Sequence, residues 1–214
     1  VFSSAQAVLH VARFDRSVDV IKEVMADHTV EVWVSDVYSA QMKAPARQRQ
    51  LCMAHQLRNL QAVIDLYPTA FWPKAMQVVF RSAVHLHHER NQLPPGEFKT
   101  RVKRLERLCD RLIERTLEHP DEKRLRKRYR KYREGLFVFL HRSDVPPTNN
   151  ISERYLRPTV IHRKVIGCFR SGWGAEAYAA IASVIHTAGL AGRSPFEAIQ
   201  GLFGRPSLPL PAMA

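Results

Sequence analysis

Two carboxylates stand where the chain could do chemistry. Asp36 follows a dense run of β-branched and aromatic residues, 30–34 (VEVWV), with only Ser35 between. A carboxylate there projects from the C-terminal end of a strand, the edge at which α/β sheets usually place their sites. A turn-forming Asp also belongs at a strand end and is the commoner occupant of that position. Glu153 lies in TNNISERYLRP, with Arg154 and Arg157 on the same helical turn. By spacing alone the simpler reading is a capping-box Glu three residues after Asn150, paired with Arg157 at i+4.

Other constellations are poorer. Cys52 and His55 have metal-ligand spacing, but a structural zinc site needs four ligands and no second pair of this kind is present. Cys52 therefore reads as a small core residue. His85, His87 and His88 are close in sequence, yet only His85 and His88 share a helical face. Gly172-Trp173-Gly174 lacks the Gly-Lys-Ser/Thr of a phosphate loop.

The elements that must position these residues change character along the chain. Residues 7–12 (AVLHVA) read as a strand and 17–26 as a helix opened by Ser17. Strands follow at 30–34 and 48–53, then a helix at 54–66 with Leu57, Leu60 and Ile64 on one face. That is an α/β alternation. From 71 to 141 only helical periodicity appears: 72–91, then 97–118 with Phe98, Val102, Leu105, Leu108 and Leu112 aligned, then a third. The third begins after His119-Pro120, with Asp121 as its cap, and repeats Leu125, Tyr129, Tyr132, Leu136 and Leu140. The last two are expected to form an antiparallel hairpin with their own small core and a basic outer face. Residues 151–156 form a short helix disturbed or ended by Pro158. Residues 175–188 form an Ala-rich helix with Gly189 after it, and 195–203 a helix opened by Pro195. The Pro-rich tail from Gly204 is expected to be disordered.

Charge narrows the function. Thirty-three Lys+Arg against 20 Asp+Glu give +13 and a pI near 10.2. Such an excess concentrates polyanions and favours nucleic acid as partner over a merely solvated basic surface. No apolar run approaches the ~20 residues of a membrane helix, and no signal peptide is visible. Three well-separated cysteines argue against a disulfide framework and for a reducing cytosol.

Three segments together carry a family resemblance. VWVSDVYSA (32–40) followed by QLCMAHQLRNL (50–60) resembles the second-Asp segment and the following Cys-x-x-His-x-x-Arg-x-Leu helix of DDE-type transposases of the insertion-sequence 66 family. TNNISERYLRPTVIHRKV (148–165) resembles the family's segment bearing the third carboxylate, and 169–199 its small-residue helix and Pro-initiated helix. The resemblance runs in order over residues 1–203. It implies a ribonuclease-H-like α/β core, 1–66 and 143–203, interrupted by a helical insertion at 67–142, with a tail at 204–214. It implies metal-dependent cleavage of DNA and strand transfer. Asp36 and Glu153 would be ligands of two Mg²⁺ or Mn²⁺ ions about 3.5–4 Å apart, so their carboxylates should approach each other. Arg154, Arg157 and Lys164 would hold phosphates, and Arg124, Lys127, Arg128 and Lys131 of the insertion would add sequence-independent contacts. Its partners would be transposon ends and target DNA in the bacterial cytoplasm at the nucleoid, bound by a dimer or larger oligomer, without a membrane. The family's first Asp belongs on the strand before residues 7–12, where none stands; Asp15 follows that strand in a loop. The chain is therefore expected to be the C-terminal part of a catalytic domain, inactive by itself. The alternative is a non-catalytic basic nucleic-acid-binding protein or a transposase remnant. A structural metal-binding protein using Cys52 and His55 is a third reading.

Overall fold

A computed structural model describes residues 1–204; the expected tail beyond Gly204 lies outside the described residues. The fold is mixed α/β and mostly helical, and it divides into two compact units: Val1–His28 with the described part of Asn150–Ala214, and Thr29–Asn149.

The first unit opens with an antiparallel pair, β1 (Phe2–Ser3) and β2 (Val8–Leu9), followed by α1 (Val18–Met25). Ser17 stands at the N-cap of α1 with extended backbone, but its side chain makes no cap bond; its amide instead donates to the Asp15 carboxylate.

The sequence order then passes through the second unit. There β3 (Val30–Ser35) and β4 (Ala46–Leu51) pair in parallel, with Val32 opposite Gln48 and Ser35 opposite Leu51. Helices α2 (Met53–Leu66), α3 (Phe71–His88), α4 (Pro95–Ile113), α5 (Pro120–Lys131) and α6 (Val138–His141) follow, with no strand described between 71 and 141. These helices have no core of their own. Trp72, Phe80 and Tyr129 are buried in one cluster with Leu51 of β4 and Met53, Leu60 and Val63 of α2. Burying several large aromatics together stabilises the unit, and truncating one such ring to Ala costs about 3–5 kcal/mol. On α4 the fully buried residues are Val102, Cys109 and Ile113, while Phe98, Leu105 and Leu112 of the expected stripe are only half-buried.

The expected long helix after Pro120 is broken. Its cap is His119, whose amide donates to the Glu122 carboxylate, while Asp121 instead accepts from the Tyr67 hydroxyl. α4 and α5 do pack antiparallel: Arg126 reaches the Arg115 carbonyl, Arg130 that of Ile113, and Arg133 pairs with Asp110. At Tyr132 the helix stops, because the following residues must lie against β4. A side chain at Gly135 would meet the Arg49 carbonyl at 2.8 Å, so the close approach needs glycine. Leu136 to Leu140 are then all buried, and the helical spacing of Leu136 and Leu140 is coincidental to that packing.

Back in the first unit, α7 (Asn150–Val165) runs straight through Pro158. Pro158 removes one amide from the helix ladder, and both it and Arg154, whose carbonyl that amide would have met, are exposed residues. α8 (Gly172–Leu190) absorbs the Gly-Trp-Gly segment into its first turn, with the Ser171 hydroxyl accepting the Gly174 amide. It ends not at Gly189 but at Gly192, whose φ of +65° closes a Schellman motif through Arg193 N–H to the Ala188 carbonyl. α9 (Pro195–Gly204) follows with Pro195 at its first position.

β2 lies along α8. The Val8 amide and carbonyl both meet the Thr187 hydroxyl at 3.1 Å, and the His10 amide donates to Ser183 at 2.8 Å. His10, 5% exposed, shares a 2.8 Å hydrogen bond with His186 and lies 3.4 Å from the Thr159 hydroxyl.

Two predictions follow from this packing. Gly135→Ala should destabilise the protein by about 1–3 kcal/mol, read from a denaturant midpoint, because the carbonyl it meets belongs to a strand. Burial, and then the neighbouring His186, push the His10 pKa down from 6.5 to about 4. The unfolded chain thus binds more protons than the folded one between these values. The contribution is complete above pH 6.5 and is lost as pH falls toward 4. His10→Gln should flatten this acid limb of the stability curve; a limb of unchanged steepness would show that His10 does not control it.

Candidate functional site

In the second unit the parallel pair sets the geometry. Because Ser35 and Leu51 are register partners, Asp36 and Cys52 leave the sheet at the same C-terminal edge. The Cys52 amide donates to the Ser35 carbonyl at 2.7 Å, extending the ladder by one bond. Asp36 is half-buried, and its Oδ1 accepts the Tyr38 amide at 3.2 Å. The turn-forming role is therefore real. It occupies one oxygen and leaves Oδ2 without a hydrogen bond among the described residues, so turn and ligand are compatible roles for one side chain.

Cys52 is fully buried, as a core residue should be. Its Sγ accepts the Asn149 amide at 3.4 Å, and the next amide, Met53, donates to the Pro147 carbonyl at 2.9 Å. The edge that carries Asp36 thus also grips the loop that ends this unit. His55 is on the first turn of α2, half-buried. Of the α3 histidines, His85 pairs with Glu89, and His87 meets the Phe139 carbonyl and the ring of His88.

Glu153 belongs to the other compact unit. Asn150 is already helical in α7, so Glu153 sits in the fourth helical position rather than the third that a capping box with Asn150 requires. It is half-buried, while Arg154, Arg157 and Lys164 are exposed. Arg154 and Arg157 border a shallow hollow of about 650 Å³ with Ile161 and Val165. Lys164 is not part of it.

The basic run 123–133 separates into two faces. Arg126, Arg130 and Arg133 are spent on α4, as described above. Arg124, Lys127 and Lys131 are exposed and Arg128 half-exposed, with Arg124 paired to Asp121 at 3.0 Å. The basic outer face expected of both hairpin helices was assigned by residue only on α5; on α4, Lys99, Lys103, Arg104, Arg107 and Arg111 are all exposed. Their signal was legible: cations repeating at i+4 with few acids between them.

With this geometry in place, comparison with known proteins defines the class. A model of the IS66 transposase family matches residues 1–177, a span that includes Asp36, Cys52, His55 and Glu153. The chain belongs to the IS66 transposase family, a family of DDE transposases, enzymes that use divalent metal ions. No curated protein and no solved structure matches the chain. No described helix is long and apolar enough to cross a membrane.

The cysteines give a direct check on the packing. Cys168 is exposed, whereas Cys52 and Cys109 are buried, and burial pushes the Cys109 thiol up to about 12. A thiol reagent at neutral pH should label one cysteine of the native chain quickly, and all three only after unfolding. Rapid native labelling of Cys52 would contradict its burial at the strand edge.

Proposed function

We propose that this chain supplies two metal-binding carboxylates, Asp36 and Glu153, to DNA strand cleavage and strand transfer by a DNA transposase. The observation that carries the reading is a family match running unbroken across both residues, joined to the position of Asp36 at the C-terminal end of a parallel strand. In this reading 1–66 and 143–203 belong to a ribonuclease-H-like core, and 67–142 is inserted into it.

The donor set fits Mg²⁺ or Mn²⁺. Carboxylate oxygens are what hard divalent cations take, and Asp36 keeps one oxygen free of internal hydrogen bonds among the described residues. Two ions bound there would activate the attacking oxygen and stabilise the leaving one. The chain's own residues hold the substrate. Arg154 and Arg157, exposed one turn apart on α7, take phosphate oxygens, and Lys164 extends that row. Arg124, Lys127, Arg128 and Lys131 on α5 add phosphate contacts that read no sequence, so DNA of any sequence is held at this surface. The enzyme acts on transposon ends and target DNA as a dimer or larger oligomer in the bacterial cytoplasm, at the nucleoid.

Metal binding is tested on the chain itself. Mn²⁺ titration followed by water-proton relaxation should show binding that Asp36→Asn and Glu153→Gln each weaken ~tenfold or more. Cleavage is tested with this chain joined to a family segment bearing the first carboxylate. There each substitution should lower strand cleavage ~10²-fold or more while leaving DNA binding in place. Full cleavage by either variant would remove that residue from the metal site.

A further inference from the structure

The cations of the second unit differ in what they are used for. Arg101 pairs with Glu97 and Glu89, Arg130 with Glu114, Arg133 with Asp110, Arg142 with Asp144, and Arg124 with Asp121. Arg126 and Arg90 are spent on main-chain carbonyls. Against these, Lys99, Lys103, Arg104, Arg107 and Arg111 of α4 enter no ion pair among the described residues, and all five are exposed. Arg107 bonds only the Lys103 carbonyl, within its own helix. The acids that could have neutralised them are turned elsewhere: Glu97 to Arg101, Glu106 to His141, Asp110 to Arg133.

Four of the five, Lys99, Lys103, Arg107 and Arg111, repeat at i+4, and Arg104 stands at i+3 before Arg107. Like charges at these spacings repel one another along a helix. An average solvated face relieves that repulsion by interleaving acids; this one does not. From Lys99 to Arg111 the row covers twelve steps, ~18 Å along the axis at ~1.5 Å per residue. α5 packs beside it with Lys123, Lys127 and Lys131 also exposed. No aromatic of α4 or α5 is among the exposed large hydrophobic side chains. Beside the row, Phe71 of α3 is exposed and lines a hollow with Arg111, but the Arg115 guanidinium lies over its ring at 5.0 Å, so among the described residues α4 and α5 offer no series of open aromatic faces of the kind single-strand binders add to charge.

We propose that the outer face of α4 is a phosphate-tracking surface for duplex DNA, and that it contributes more to binding than the partly neutralised face of α5. The proposal rests on the reading that the chain acts on DNA, and names the surface that holds the duplex without reading its sequence. Each phosphate neutralised releases condensed counterions, so log affinity falls with log salt by ~0.9 per contact.

The test is fluorescence anisotropy of the 214-residue chain on a random-sequence duplex and on one of its single strands, over a series of salt concentrations. The variant changes Lys99, Lys103, Arg104, Arg107 and Arg111 together to Gln; a second changes Arg124, Lys127, Arg128 and Lys131 to Gln. The expected result is duplex preferred over single strand, ~30-fold or greater loss for the α4 variant at ~0.1 M salt, a salt slope shallower by ~3–4, and a smaller loss for the α5 variant. Lysine acylation of the unaltered chain gives a second reading that needs no variant to fold: saturating duplex should protect Lys99 and Lys103 and leave Lys22 labelled. If the unaltered chain binds duplex but the folded α4 variant keeps its affinity and slope, or Lys99 and Lys103 stay unprotected, the α4 surface is wrong and the DNA reading stands. A preference for single strand overturns the duplex assignment. Failure of the unaltered chain to bind any DNA overturns the DNA reading itself.

Discussion

Gln50 is the point on which the second unit turns. It is fully buried on β4, and a buried amide costs folding free energy unless its polar atoms are paired. Its Nε2 donates to the Leu51 and Leu136 carbonyls at 2.7 and 3.3 Å, and its Oε1 accepts the Phe139 amide at 3.1 Å. One side chain thereby supplies the partners that an irregular stretch of buried backbone lacks. That stretch, in turn, is where the helix after Pro120 gives way to the short turns that cover β4. Once β4 is fixed between β3 and this segment, the C-terminal edge is fixed as well. Asp36, Cys52 and the first turn of α2 follow from it.

The sequence was most legible where burial and local preference agree. The run 30–34 announces a strand, and the helix of α2 is found where its periodicity placed it, although the buried face is Met53, Gln56, Leu60 and Val63 and the expected Leu57 and Ile64 are only half-buried. It was least legible where a distant contact overrides local periodicity. Leu136 and Leu140 continue a helical repeat, yet the Arg49 carbonyl beside Gly135 forbids the helix that would use it. No local pattern announces an approach by a strand more than eighty residues earlier. Pro158 misled in the opposite direction: α7 continues through it, on a turn where Arg154 and Pro158 are exposed. Of the candidate site, Asp36 was legible both as a strand-end carboxylate and as a turn-former; that the turn takes only one of its oxygens is seen once the Tyr38 amide is placed. The role of Cys52 was read correctly as burial; that its sulfur receives the Asn149 amide could not be read from spacing.

Charge shows the same division between composition and placement. The excess of Lys and Arg predicts a polyanion as partner without saying which cations meet it. Packing decides that. Two arginines of α5, Arg126 and Arg130, and Arg133 just beyond it serve as caps and ion-pair donors to α4, so the densest run of basic residues in the sequence is not the barest basic surface of the fold. The less conspicuous helix, α4, keeps five cations unneutralised because its acids are committed to Arg101, His141 and Arg133.

The contact between β2 and α8 has a consequence for how the chain behaves in a crowd. An unpaired strand edge is a template on which another copy's strand can add, and proteins commonly blunt such edges with lysine, proline or a bulge. Here Leu9 faces β1 as the partner of Phe2, while the Val8 amide and carbonyl and the His10 amide on the opposite edge are met by Thr187 and Ser183. The small side chains of an alanine-rich helix, one turn apart, satisfy the row that would otherwise recruit a foreign strand. The alanine-rich helix is thus also a cover against edge-to-edge aggregation, built from two hydroxyl groups.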